Sequence, residues 1–220
     1  HIGHKFDWYF FTHHLDVARR SWAEYGQMPV WNPYLCGGIL EIGDLQASSI
    51  APVNIFTSLF GTIPGMKFGF WVLFVVAQEG TYRYARHHGI EGLGAIAAAV
   101  IFAFSGRFAS PIVNGHPVLL GFLLMPWLFL GLERGVESWW WAVLGGVFMG
   151  WILSNGGAVP ASMISVFLAI DLVVMTVRLA IDEEANYRWY RPALTLALMC
   201  LVTCTLFAVR VFPMAESAIA

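Results

Sequence analysis

Apolar and polar residues fall in long blocks along this chain. Beyond residue 64 the apolar runs lie at about 65–82, 91–108, 117–133, 138–154, 159–178 and 193–212. Each is near the ~20 residues that a helix needs to cross the hydrocarbon core of a bilayer. Glycine and proline punctuate the gaps: Gly61 with Pro64, Gly89, Gly115 with Pro117, Gly135, Gly156 and Gly157 with Pro160, and Pro192. Gly145, Gly146 and Gly150 sit inside a run, where small residues let helices approach closely in lipid. No internal repeat is visible. The pattern predicts an all-α polytopic transmembrane helix bundle of about six spans over residues 65–220.

The first 64 residues follow another pattern. Residues 6–11 (FDWYFF) are a dense aromatic cluster around one acid. Residues 12–26 (THHLDVARRSWAEYG) predict a short amphipathic helix with Leu15, Ala18, Trp22 and Tyr25 on one side. Pro29 and WNPYLCGG (31–38) make a turn-rich, extended stretch. Residues 48–60 (SSIAPVNIFTSLF) are apolar but too short to span, as expected of an interfacial or re-entrant helix. Residues 1–64 thus read as a loop folded on the membrane surface.

Charge gives this arrangement a direction. With residues 1–64 outside the cytoplasm, the inner turns hold Arg83, Arg86, Arg134, Arg178, Arg188 and Arg191. The outer short turns hold Arg107, with Lys67 and Arg210 near helix ends. Six against one, or against three with the borderline pair, satisfies the positive-inside rule. Trp139, Trp140 and Trp141 then anchor the cytoplasmic interface. A chain that starts outside is expected to follow an earlier transmembrane helix upstream of His1.

Composition agrees. Apolar residues make up 58% and charged residues 12% of the 220, about half the charged share of a soluble domain. The formal net charge of −2 argues against nucleic acid as a partner. The three cysteines, Cys36, Cys200 and Cys204, form neither a disulfide framework nor a zinc spacing. Phosphate loops of the GxxxxGK[ST] or GxGxxG kind are absent, as are GxSxG and HExxH. An enzyme of this kind must draw on an already activated substrate, and a membrane protein finds those among lipids.

The outer face gathers the polar groups of interest: His4, Asp7, His13, His14, Asp16, Arg19, Arg20, Asp44, Arg107, Asn114, His116 and Arg210. Asp7 is the leading candidate, because desolvation among aromatics raises a carboxyl pKa toward base duty. The competing account has it capping the next helix or pairing with Lys5. His1, His4 and Asp7 stand at three-residue spacing, compatible with metal ligands on one helix face. His13 and His14 are neighbours and point apart, which disfavours a shared ion. Arg107 and Arg210 can hold a phosphate bidentately or anchor lipid headgroups. Asp171 falls near the middle of its run, and an intramembrane acid is a functional candidate. Arg178, seven residues on, offers it a salt bridge. Glu79 and Arg83 form an i,i+4 pair.

Several segments resemble a family. GQMPVWNPYLCGG (26–38) and GDLQASSIAPVNIF (43–56) look like the first external loop of YfhO-like bacterial membrane proteins. FSGRFASPIVNGHPVLLGFLLMPWLFLGLERG (104–135) and RVFPMAESA (210–218) fit the same comparison. These proteins are similar to the GT-C class of polytopic glycosyltransferases. The resemblance implies a bacterial cytoplasmic-membrane enzyme that moves a sugar from a polyprenyl-phosphate carrier to an acceptor on the non-cytoplasmic face. An acid in the first external loop then serves as base or metal ligand, a position matched by Asp7. His116, Arg107, Arg210 and His13 are the expected substrate-binding residues. The class leaves a divalent metal open as cofactor. It usually has more helices and a soluble carboxyl-terminal domain, so these 220 residues are expected to be a fragment of a longer protein.

Two other readings compete. A non-catalytic scaffold subunit would bury Asp7 against a partner membrane protein with no cavity beside it. A transporter would couple ion movement to Asp171 and show internal pseudo-symmetry.

Overall fold

The computed structural model describes residues 7–182 and 187–219. It is nearly all-α, with 75% of residues helical. Helix α1 (Trp8–Ala23) leads into a two-residue antiparallel pair, β1 (Trp31–Asn32) and β2 (Ile39–Leu40). Helices α2 (Val53–Phe60), α3 (Thr62–His87), α4 (Leu93–Ala103) and α5 (Gly106–Asn114) follow. A 3-10 segment (Pro117–Leu124) continues into α6 (Met125–Gly135). The chain then forms α7 (Trp139–Ser154), α8 (Ala158–Ile181), α9 (Arg191–Leu206) and α10 (Ala208–Ile219).

The expected amphipathic helix is present but starts inside the aromatic cluster. It buries Phe11, His14, Leu15, Val17 and Ala18, leaving Trp22 and Tyr25 exposed. Of the short apolar segment 48–60, only Val53–Phe60 is helical. Gly61, at φ 84°, turns the chain directly into α3.

Three helical stretches are long and apolar enough to cross a bilayer: Leu93–Asn114, Pro117–Gly135 and Ala158–Ile181. A fourth is added if Arg191–Leu206 and Ala208–Glu216, bent by 90°, count as one span. Several such helices mark a multi-pass membrane protein. The six runs do not all reach this standard. Helix α7 has 16 residues, about 24 Å at 1.5 Å per residue. Helix α3 has 26 residues but carries Lys67, Glu79, Arg83 and Arg86.

Pro117–Gly135 is the central element, with 67% of its most apolar window buried, against 22% and 11% for the other two. Its 3-10 start has a local cause. Pro126 has no N–H to donate to the Phe122 carbonyl, so regular α-helical bonding cannot run through this stretch. Met125 N–H bonds Phe122 instead. Leu120, Leu123, Leu124, Leu128, Leu130 and Leu132 fill the core. Trp127 is accommodated because its indole N–H donates to the Val76 carbonyl at 2.8 Å. Small residues set the helix spacing. A Cβ on Gly131 would lie 2.8 Å from the Gly145 Cα, so α6 and α7 touch backbone to backbone. Thr203 Oγ1 donates across to the Gly146 carbonyl at 2.9 Å.

One side chain fastens the 41–47 loop to the bundle. After α9 the chain bends at Phe207 and turns Arg210 back into the protein, where it is fully buried. Its Nε donates to the Leu153 carbonyl at 3.5 Å. One terminal nitrogen reaches the carbonyls of Glu41 at 3.5 Å and Ile42 at 2.6 Å. The other reaches those of Asp44 at 2.6 Å and Ala47 at 2.5 Å. Nearby, Ser48 Oγ donates to the Asn155 carbonyl at 3.1 Å.

Arg210→Lys should therefore be strongly destabilising although it keeps the charge. An ammonium has three donors, and losing two charge-assisted bonds costs about 3 kcal/mol or more. A melting temperature in detergent close to that of the parent protein would refute this account of the loop.

Candidate functional site

Asp7 stands at the N-cap position of α1, but its carboxylate makes no capping hydrogen bond to that helix. Its Oδ2 lies 3.3 Å from His116 Nε2 instead. The approach depends on Gly115, at φ 79°, where a Cβ would sit 2.7 Å from the Trp8 backbone nitrogen. The start of α1 therefore rests on the turn between α5 and the 3-10 segment. Asp7 is 59% exposed and His116 45% exposed, so the expected desolvation of Asp7 among its aromatic neighbours does not occur. Lys5, His1 and His4 lie outside the described residues. Phe11, edge-on to His116 with ring centroids 6.2 Å apart, leads down to a cavity of about 40 Å³. Phe11, Phe56, Phe70, Pro117 and Trp151 help line it.

The other expected binding residues separate. Arg107 is exposed, with its guanidinium carbon 5.6 Å from the centre of the Phe122 ring. Arg210 has five N–H groups directed at five carbonyls. That geometry leaves no donor for a carrier phosphate, which corrects its expected role. His13 accepts from Asn32 Nδ2 at 3.1 Å and lies edge-on to Tyr34. A pocket of about 280 Å³ adjoins it, lined also by Asp16, Val17, Arg20 and Tyr34.

A buried network lies beneath. Glu41 Oε1 accepts from His14 Nδ1 at 2.7 Å, with both side chains fully buried. Glu41 Oε2 accepts from Asn32 Nδ2 at 2.9 Å. Asn32 Oδ1 accepts the Tyr34 backbone N–H at 3.0 Å, which fixes the orientation of the amide. Asn32 thereby links His13 to the carboxylate that His14 contacts directly. Sequence reasoning had passed over Glu41 and Asn32. The available signal was an acid inside the apolar stretch 39–42, since a buried charge must find partners.

Asp16 anchors α1 to the start of α3. It accepts from Thr62 Oγ1 at 2.8 Å, Arg20 Nε at 2.8 Å and Arg19 Nε at 3.2 Å. Burial works against its charged form, but the Thr62 and Arg19 hydrogen bonds and the two arginine charges outweigh it. The carboxyl pKa is held below its ordinary value.

At the opposite end of the bundle, Glu133 accepts one hydrogen bond and lies close to two imidazoles. His87 Nε2 lies 3.2 Å and His88 Nε2 3.1 Å from its Oε2, and Tyr84 donates to its Oε1 at 3.2 Å. Glu79 and Arg83 form the expected surface pair at 2.5 Å. Asp171, expected in the middle of its run, shares a cavity with His88, Glu137 and Tyr187 from the turns at this end. Among the described residues no group of three or more His, Cys, Asp or Glu side chains is set to hold a metal ion. Comparison with protein-family models, curated proteins and solved structures finds no match to this chain.

Two outcomes test these contacts. Glu41→Gln places an amide where His14 and Asn32 need an acceptor, and breaking such a buried pair costs about 3 kcal/mol, readable as a lower melting temperature. For Asp16 the depressed folded-state pKa means stability that is present above the unfolded value of about 3.9 and lost as pH falls through the lower folded value. Asp16→Asn should therefore flatten the decline in melting temperature between pH 5 and pH 3. A decline as steep as that of the parent would remove Asp16 as its source.

Proposed function

We propose that this protein is a membrane glycosyltransferase that moves a sugar from a polyprenyl-phosphate carrier to an acceptor hydroxyl on the non-cytoplasmic face. The observation that carries the reading is the exposed Asp7–His116 pair at the start of α1. A water-accessible carboxylate next to an imidazole is suited to general-base chemistry. The resemblance of residues 26–38, 43–56, 104–135 and 210–218 to YfhO-like proteins and the GT-C class supports the substrate class. Fold-level analogy of this kind guides the choice of substrate rather than fixing it.

In this reading α3, α4 with α5, the 3-10 segment with α6, α7, α8 and α9 all cross a bacterial cytoplasmic membrane. The α1 end lies outside, and α2 lies in the interface. Two observations favour that orientation. Arg83, Arg86, Arg134, Arg178, Arg188 and Arg191 belong to the end opposite α1, and Trp139, Trp140 and Trp189 are exposed there, as an interfacial belt requires.

The reaction balances simply. The acceptor hydroxyl oxygen attacks the anomeric carbon as its proton passes to the Asp7 carboxylate. The bond from that carbon to the carrier phosphate breaks, and the phosphate leaves with the electron pair. His116 orients Asp7 and can take up the proton afterwards. Arg107 is the cation available to the departing phosphate. A scaffold role would call for a covered Asp7, whereas the Asp7 side chain is 59% exposed in this chain. The transporter reading lacks the pseudo-symmetry it would call for.

Labelled-sugar transfer in membranes holding the full-length protein tests the proposal. Asp7→Asn should lower the rate by about 10²- to 10⁴-fold while insertion is unchanged, and His116→Gln should have a smaller effect. Equal transfer by the parent and Asp7→Asn would discard this base. No transfer by the parent over a broad donor panel would discard the enzyme.

A further inference from the structure

The end of the bundle opposite α1 carries a cavity of about 290 Å³ that the proposed transfer reaction does not use. Its walls include His88, Glu133, Glu137, Asp171, Arg178 and Tyr187. The acceptors in it are unequally engaged. Glu133 accepts from Tyr84 on one oxygen and has the His87 and His88 rings 3.2 Å and 3.1 Å from the other. Asp171 Oδ2 is buried with no hydrogen-bond partner. A buried, unpartnered carboxylate oxygen is costly. It calls for a donor, preferably a positively charged one.

The same cavity offers a cation at a definite offset. Arg178 is seven residues after Asp171 on α8, two turns along the same face and about 10 Å in rise. Long side chains on a helix lean toward its N-terminus, so the guanidinium is brought back toward Asp171. The cavity thus presents an anionic acceptor and a bidentate phosphate binder side by side. It also lies at the level of an interfacial belt: Trp139, Trp140 and Trp189 are exposed at this end. Beyond Asp171, α8 exposes Val174 and Val177, an apolar surface for acyl chains.

We infer that this cavity binds a phosphoethanolamine group, its ammonium donating to Asp171 Oδ2 and its phosphate held by Arg178, as in the headgroup of phosphatidylethanolamine. A phosphocholine group has no N–H to donate and cannot satisfy Asp171. A phosphoglycerol group brings no cation. The site is therefore selective among phospholipids by hydrogen-bonding chemistry as well as by charge, and it stands independently of the sugar-transfer reading.

The experiment uses the full-length protein in detergent, with melting temperature and lipid retention by native mass spectrometry as readouts. Phosphatidylethanolamine should raise the melting temperature and be retained, while phosphatidylcholine and phosphatidylglycerol with the same acyl chains should do neither. Asp171→Asn removes no hydrogen bond to Oδ2, so it should fold normally and lose about tenfold or more in retention, the loss of one charge-assisted bond. Arg178→Gln should weaken retention as well. O-phosphoethanolamine in solution reproducing the shift would identify a soluble ligand, and a shift with the lipid alone would identify the bilayer as the source; either supports the site. Equal shifts with the choline lipid, an undiminished shift in Asp171→Asn, or no shift with lipid or soluble compound would overturn it.

Discussion

The burial of Arg210 is the constraint from which the α1 end of this protein is built. A guanidinium removed from water must have its charge and all five donors compensated, or burial costs several kcal/mol. Here the compensation comes from carbonyl dipoles of Glu41, Ile42, Asp44, Ala47 and Leu153. A single carboxylate could engage at most part of the fork. Four of the five carbonyls belong to one seven-residue stretch of loop, so the charge dictates a path for that loop. The bend at Phe207 is part of the same arrangement, because only a chain that turns there can aim Arg210 inward. Phe207 packs where Gly150 leaves room, at a position where a Cβ would meet its ring.

From this anchor, position passes outward in steps. Once residues 41–47 are fixed, Glu41 lies beneath α1 and takes His14, and Asn32 closes the ring between β1 and the same carboxylate. His14 is in the middle of α1, so its contact sets the rotation of that helix. Asp16 then fixes the far part of α1 to Thr62 at the start of α3. The remaining freedom of α1 is its amino-terminal turn, and that turn settles on Gly115 with Asp7 against His116. Asp7 is thus located by a scaffold of buried polar contacts in which it has no part. A group that must change protonation state benefits from support of this kind, because its own contacts can loosen without loss of the helix position.

What could be read from the sequence follows from the range of the interactions involved. The helical class and the membrane setting are written in the apolar runs, which are local. The count of spans is less legible, because α7 and α3 have apolar runs of suitable position but fall short in length or in hydropathy. Asp7 and His116 could each be singled out as polar residues near helix starts. Their contact, 109 positions apart, rests on a close approach at Gly115 that no local pattern encodes. Arg210 misleads in an instructive way. An arginine near the end of an apolar run looks like a headgroup binder, and only the fold reveals that loop carbonyls have taken its place. Asp171 is near the middle of α8 as its run suggests, but its place in a cavity with His88, Glu137 and Tyr187 depends on turns that no local pattern encodes.

The two ends of the molecule solve the problem of polar groups at a membrane boundary in different ways, and that difference bears on function. At the α1 end Glu41 and Arg210 are fully engaged, His14 Nε2 and Asn54 Oδ1 are buried without a partner, and the Asp7 carboxylate is left to water. His14 and Glu41, in close contact, are fully buried, so a substrate cannot reach them. Asp7 is the accessible carboxylate, exposed to solvent and 3.3 Å from His116. At the opposite end Glu133 accepts from Tyr84 and lies close to two imidazoles, while Asp171 Oδ2, at the same cavity, has no partner. What sets Asp171 apart from the unpartnered His14 Nε2 is that its side chain lines a cavity with Arg178, and it is there that a ligand from outside the chain can complete the hydrogen bonding.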